Sequence, residues 1–153
     1  MRRPSSAQRG ITLPSFRTGP LAAMKLDVDI DTGEPVVLAG NVTRGEVGLD
    51  LHVGGTGEVI VPTGVIFLDK GKIALPGGTM RFDRGLVTFT EENPYMPHLD
   101  LNGEARLAGF DVEMRVEGSL EEVQIDPTTY PPLDRRDALM LMLTGQVLSL
   151  IHI

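Results

Sequence analysis

Three histidines, His52, His98 and His152, are the side chains best suited to metal binding or acid–base catalysis in this chain. They lie far apart, without the short spacing that places two ligands on one metal ion or a base beside a nucleophile. His52 and His98 also fall in the polar register of alternating segments, which favours solvated side chains. The histidines therefore indicate neither a metal centre nor a catalytic base.

The carboxylates and serines form no catalytic pattern either. Glu91-Glu92 and Glu121-Glu122 are adjacent residues whose side chains diverge, whereas glycoside hydrolysis needs two carboxylates that face each other across a cleft. No serine lies in a G-x-S-x-G elbow, and the glycine-rich residues 54–57, which predict a turn or bulge, lack the Lys-Ser/Thr and helix of a phosphate loop. We therefore expect a protein that is not an enzyme and needs no cofactor or metal.

Composition narrows the class of protein further. The chain has 153 residues, of which 41% are hydrophobic, enough to supply the core of one domain or part of one. The net charge of −7 disfavours nucleic acid as a partner, because a phosphate backbone requires a basic surface. The absence of Cys excludes disulfides. The 18 Gly and 11 Pro are spread along the chain and favour an all-β protein.

The clearest pattern in the sequence is the strict alternation between residues 98 and 120. One apolar face is formed by Leu99, Leu101, Gly103, Ala105 and Leu107, and is continued by Val112, Met114, Val116, Gly118 and Leu120. The residues between them are mostly charged. A period of two with one polar and one apolar side is typical of an antiparallel sheet with one wet face.

Shorter strands are predicted in the first two thirds of the chain. They cover residues 24–30, 36–42, 46–53, 58–61, 64–69, 72–75, 79–83 and 86–90. Their spacing of about 8 to 12 residues is typical of a meander, sandwich or barrel. A glycine precedes each apolar segment after residue 63 and would permit tight reversals. Either a ribbon of stacked strands or an ordinary antiparallel meander fits this pattern.

A short helix is predicted near the C-terminus, over residues 133–143. Residues 126–132 precede it as an extended connector, because a residue before Pro avoids the helical region. Asp134 is the expected N-cap, with Asp137 in the first turn and Gly145 as the stop. The apolar run is too continuous for an exposed helix, so we expect it to be buried against the sheet, to plug an apolar groove or to contact a partner.

The order of several motifs resembles the family of TamB C-terminal domains. These motifs are the repeated Gly and Phe positions of residues 77–89, the Asn93-Pro94 break, the Leu-Asp-Leu strand at 99–101, the strand end at 116–120 and the helix at 132–145. The resemblance covers roughly residues 26–145. Similar proteins often have Ser-x-Pro before the helix, where this chain has Thr129-Tyr130-Pro131. We assign residues 24–145 to the domain, residues 1–23 to a linker or incomplete upstream strand, and residues 146–153 to a non-native tail.

The resemblance implies a fold and a function. The implied fold is an all-β, elongated, curled antiparallel sheet (a β-taco) with an apolar concave face and one short C-terminal helix. The implied setting is the periplasm of a Gram-negative-type bacterium, with an inner-membrane anchor outside this fragment. The implied role is envelope biogenesis: conducting phospholipid along the groove, assisting outer-membrane protein (autotransporter) assembly, or both, together with the TamA-like barrel of the Omp85 family.

Eight residues are predicted to line the groove for phospholipid acyl chains. They are Phe82, Phe89, Leu99, Leu101, Leu107, Val112, Met114 and Val116. Burying a methylene group contributes about 0.8 kcal/mol, so such a lining would shelter an acyl chain from water. Free sheet edges could also pair with client β-strands. The alternative is a structural or adhesive β-repeat domain in which the same residues form an ordinary packed core.

Overall fold

The computed structural model describes residue 11 and residues 13–147. Within them, eight strands form one antiparallel sheet that curls without closing, and one helix follows the last strand. The elements are β1 (Val28–Asp31), β2 (Val36–Ala39), β3 (Thr43–Gly55), β4 (Ile60–Leu75), β5 (Gly78–Phe89), β6 (His98–Leu107), β7 (Phe110–Ser119), β8 (Gln124–Tyr130) and α1 (Arg135–Thr144). The predicted all-β class and the curled antiparallel sheet are therefore confirmed.

The strand order is that of a meander with one divided edge. From β3 to β8 each strand pairs with the next, whereas β1 and β2 both pair with β3, at residues 50–53 and 44–47 respectively. The two short strands thus lie end to end along β3 and form one edge of the sheet, and β8 forms the other.

Strands β4 and β5 each join strands that the sequence pattern had separated, and this is a correction. The predicted strands at 64–69 and 72–75 are parts of β4, and those at 79–83 and 86–90 are parts of β5 apart from residue 90. The chain therefore does not reverse at Gly64, Gly71 or Gly85. It reverses after Leu75, where Pro76 and Gly77 connect β4 to β5.

Irregular pairing explains why the alternation failed in these strands. Between the pairs Arg44–Lys72 and Glu46–Asp69, one residue of β3 faces two of β4. The pairing of β5 with β6 shifts in the same way around Asp83. A β-bulge inserts one extra residue and bends the strand. The apolar positions consequently change from even to odd numbers within each strand, and this change mimics a strand end.

The pairing register places most of the apolar side chains on one side of the sheet, because directly opposed residues of antiparallel strands share a face; Phe67 and Leu86 are exceptions that lie on the other side. One apolar row runs across four strands through Gly85, Leu101, Val116 and Ile125. On the other side, the corresponding rows hold residues such as Asp100 and Glu117. We call these two sides the apolar face and the polar face.

Helix α1 has the predicted cap residues, Asp134 and Gly145, and it runs from Arg135 to Thr144 rather than over residues 133–143. The side chain of Asp134 accepts a hydrogen bond from the N–H of Asp137 at 2.8 Å, which satisfies one free donor of the first turn. Gly145 ends the helix in the left-handed region at φ 72°. Ala138, Leu141 and Met142 are buried. Of the three expected positions for the helix, the structure shows the first, burial against the sheet.

The segment before the helix differs from its predicted form. Residues 126–132 were expected to be an extended connector, but most of them belong to β8, which pairs with β7 along its whole length. Pro127 is compatible with this position because β8 is an edge strand. Thr129, which is buried, accepts a hydrogen bond from the N–H of Leu133 at 2.8 Å and so fixes the turn into α1.

No helix in the described part of the chain is long and apolar enough to cross a membrane. Most of the predicted tail, with His152, lies outside the described residues, as do residues 1–10 of the predicted linker.

Candidate functional site

Helix α1 covers one part of the apolar face. Under it, Met80, Leu107 and Val112 are almost completely buried and form one cluster with Leu141 and Met142 of the helix. The end of α1 also lies against the β4–β5 turn, where an added Cβ on Gly77 would stand 3.0 Å from the Cα of Gly145. This part of the apolar face is an ordinary packed core.

Outside the part under α1, large side chains of the apolar face such as Val47, Leu101 and Val116 are half-buried rather than buried. Beside α1, a cavity of about 310 Å³ opens on this face. We call it the apolar groove. It is lined by Leu38, Thr43, Arg44, Gly45, Val47, Leu68, Gly71, Lys72, Ile73, Phe82 and Leu101. Phe82, Leu68 and Ile73 also contact the cluster beneath α1, so the groove begins where the packed core ends.

Glycines on the apolar face make room for large neighbours. A Cβ on Gly85 would overlap the side chain of Leu101, and a Cβ on Gly103 would stand 2.9 Å from the ring of Phe82. Leu101 and Phe82 therefore lie flat over the adjacent strand. These two side chains form part of the groove wall because their neighbours have no side chain.

The register brings all eight predicted groove residues to the apolar face but divides them into two groups. Phe82, Leu107 and Val112 are buried, and Met114 packs against their cluster. Phe89, Leu99, Leu101 and Val116 are half-buried on the part that α1 leaves uncovered. Of the eight predicted residues, Phe82 and Leu101 line the apolar groove. Leu107 and Val112, at 0% and 1% exposure, are closed to a ligand.

Sequence reasoning missed the part of the groove that β3 and β4 contribute. Val47 and Leu68 are directly opposed and line it, together with Ile73. The alternation of Val47, Leu49 and Leu51 was visible in the sequence. Its position beside Leu101 depends on the pairing register across β4 and β5, which the bulges obscure.

The titratable cluster of the described residues lies elsewhere, on the polar face. The Nδ1 of His52 is 2.7 Å from the Oδ1 of Asp29, and its Nε2 is 3.6 Å from the Oδ1 of Asp27. The hydrogen bond to Asp29 is the main cause that raises the pKa of His52, aided by the charges of Asp29, Asp27 and Glu91 and opposed by partial desolvation. Residues 13–147 hold no group of three or more side chains suited to a metal ion.

The fold and this face define a class: a one-sheet all-β domain whose apolar face is only partly covered by its own helix. The family model of the TamB C-terminal domain matches residues 2–151, and the chain belongs to that family, as the order of its motifs predicted. Comparison with curated proteins gave no match, and comparison with solved structures gave none.

Family membership indicates the general cellular role of the chain. It belongs to the translocation and assembly module of the bacterial envelope, in which domains of this family work with TamA-type partners.

Proposed function

We propose that this domain binds phospholipid acyl chains on the uncovered part of its apolar face and passes them along the sheet, without catalysing a reaction. The observation that carries the proposal is the apolar groove beside α1, which continues a face already apolar from β1 to β8. We further propose that the curl of the sheet makes this face concave and that the domain works in the periplasm, tethered to the inner membrane.

The composition of the groove suits transfer better than tight binding. Each methylene that leaves water contributes about 0.8 kcal/mol, so even a short acyl segment gains several kcal/mol. The lining is mainly aliphatic, with small residues and the ring of Phe82, and its polar members, Thr43, Arg44 and Lys72, belong to β3 and β4. A chain can therefore slide along such a surface without leaving a deep energy minimum.

The open edges support a role in the assembly of outer-membrane proteins. In β2, Val36, Val37 and Leu38 are all more than half exposed, and no strand of the described part pairs with the outer side of β1 or β2. An exposed edge offers backbone N–H and C=O groups to an incoming strand. We propose that a client β-strand or a TamA-like barrel of the Omp85 family pairs there.

Photocrosslinking in cells tests the lipid function. A photoreactive amino acid replaces Leu101 or Val116 on the uncovered apolar face, and Asn102 or Glu117 on the polar face as matched neighbours. In cells labelled with radioactive phosphate, we expect phospholipid adducts at Leu101 and Val116 only. A probe at Leu107 should react with α1 instead, because that position is sealed by the helix.

The alternative is a structural or adhesive domain with an ordinary core. It requires a second layer over the groove, and the probes at Leu101 and Val116 would then form protein adducts without phospholipid. That result, in folded protein, would overturn the lipid function.

A further inference from the structure

Basic side chains are concentrated on the polar face, behind the apolar groove. Arg44 of β3 is opposed to Lys72 of β4, and Lys72 is opposed to Arg81 of β5, so three cations lie side by side across three strands. Lys70, beside the bulge, lines the same cavity, whose volume is about 340 Å³. We call these four residues the cationic row.

The fold neutralises this row only in part. Like charges opposed on neighbouring strands repel each other and destabilise a sheet. Glu46 and Asp83 line the same cavity, yet within the described ranges no member of the row forms an ion pair. Glu104 of β6 is directly opposed to Arg81, so the row ends at a carboxylate, but the four exposed cations outnumber the three carboxylates beside them, which are Glu46, Asp83 and Glu104.

Other arginines of the polar face show the contrast. Arg106 is paired with Asp111 and Arg115 with Glu117, each at 3.0 Å. Both lie on the same face as Arg81, further along the sheet on β6 and β7. Among the described residues of this face, Arg84, which is opposed to Asp69, forms no ion pair either, so the contrast holds for the arginines of β6 and β7 only.

We propose that the cationic row binds the phosphate groups of anionic phospholipids at a membrane surface. Neighbouring strands are about 4.8 Å apart, so the row extends over roughly 10 Å, more than one phosphate group needs. All four cations are exposed, and charged residues are depleted in the core of protein interfaces, so an array of headgroups suits the row better than a protein. Salt screens the acidic residues that lie more than about 10 Å away, whereas Glu46, Asp83 and Glu104 are adjacent and reduce the attraction of the row for anions.

The position of the row connects it to the groove. Arg44 and Lys72 also border the apolar groove on the other side of the sheet. A membrane held at the row would lie close to the end of the groove near Thr43 and Ile73, where an acyl chain could enter. The biological role that we give to the cationic row rests on the proposed lipid function. Its ability to bind anions depends only on the charges of its four residues.

Binding of the full chain to vesicles tests the proposal. Phosphatidylglycerol–phosphatidylcholine vesicles are compared with vesicles of phosphatidylcholine alone, for the wild type and for the double variant Lys72→Gln/Arg81→Gln. One cation near an anionic surface contributes about five-fold in affinity, so we expect the variant to bind the anionic vesicles about 25-fold more weakly. The variant should fold, because it removes repulsion between opposed cations.

The double variant Arg106→Gln/Arg115→Gln is the matched control. It removes the same charge from the same face, but from residues that already have partners, and we expect less than a two-fold change. Equal loss in both variants, or equal binding to both kinds of vesicle, would overturn the proposal. If inorganic phosphate released the chain from anionic vesicles more effectively than chloride of equal ionic strength, the row would be a site for free phosphate. If polyglutamate released the chain equally well, the row would be a site for an acidic protein. Either would overturn a lipid site.

The same variant separates this inference from the lipid function itself. With a photoprobe at Leu101, loss of vesicle binding with persistent phospholipid adducts would confirm the row and leave the groove intact. Absence of adducts in protein that still binds anionic vesicles through the row would overturn the groove alone.

Discussion

At the scale of single residues, His52 is the described side chain whose ionisation the fold changes most clearly. Its ring lies between Asp29 and Asp27 on the polar face and connects the short edge strand β1 to β3. Its side chain remains 46% exposed, so the interaction is open to solvent and salt. The interaction of His52 with the two aspartates therefore acts locally, and it makes the free energy of unfolding depend on pH.

The pKa of His52 in the folded protein lies above the ordinary value of 6.5. The interaction of protonated His52 with Asp29 therefore stabilises the folded state fully below pH 6.5. It is lost as the pH rises through the folded-state pKa, when the imidazolium loses its proton. We expect Asp29→Asn to remove this contribution, so that the free energies of unfolding of variant and wild type differ more at pH 5.5 than at pH 9. Urea unfolding at the two pH values measures it.

Titration of the His52 ring by NMR supplies the control. The ring should titrate above 6.5 in the wild type and lower in Asp29→Asn. A wild-type ring that titrates like a free histidine would contradict the assignment.

At the scale of elements, α1 owes its position to a few side chains on one of its faces. Leu141 is completely buried between the helix and the sheet, whereas Leu143, two residues further along, is 71% exposed. The helix has only ten residues, too short to be stable alone in water. Its stability must come from packing over the end of the apolar face.

We expect Leu141→Ala to lower the free energy of unfolding by about 2–5 kcal/mol, because it leaves a cavity in a closed cluster. Leu143→Ala should change it by less than about 0.5 kcal/mol, as is usual for exposed positions. Urea unfolding of the two variants compares the same substitution on opposite sides of the helix. Equal losses would mean that α1 is not held on the sheet by the Leu141 side.

The elements differ in how far the sequence determined them. Strands β6 and β7 and helix α1 were predictable, because alternation is unbroken in the strands and Asp134 and Gly145 are local signals for the helix ends. Strands β4 and β5 were divided wrongly, since a bulge changes the face of every later residue. Of the groove lining, the sequence predicted Phe82 of β5 and Leu101 of β6, because the β3 and β4 side depends on register across those bulges.

At the scale of the whole molecule, the strands of the sheet differ in how many neighbours they have and in how far their side chains are buried. Strands β4 to β7 have neighbours on both sides, and α1 covers one end of them. Strands β1 and β2 have four residues each, one partner and side chains that are all exposed. Local opening should therefore be easiest at this edge.

Hydrogen exchange of the backbone amides would show this gradient. We expect the slowest exchange in β5 and β6, close to the rate set by global unfolding, and exchange orders of magnitude faster for the β1 and β2 amides that bond to β3. Comparable protection at the edge and in the centre would indicate that something else covers the edge, such as a second copy of the chain. Sedimentation of the same sample would identify that case.

The bulges in β4 and β5 also determine how this sheet tolerates insertions and deletions. Deleting Lys70 would remove the extra residue of β4 and leave Leu68, Ile73 and Leu75 on the apolar face, with Lys72 on the polar face. A deletion of two residues there should thus be more harmful than a deletion of one, because removing Lys70 and Gly71 would turn Ile73 and Leu75 towards water and Lys72 towards the apolar face. For recombination between related proteins, the exchangeable unit of this domain is a half-strand that ends at the bulge, and not a complete strand.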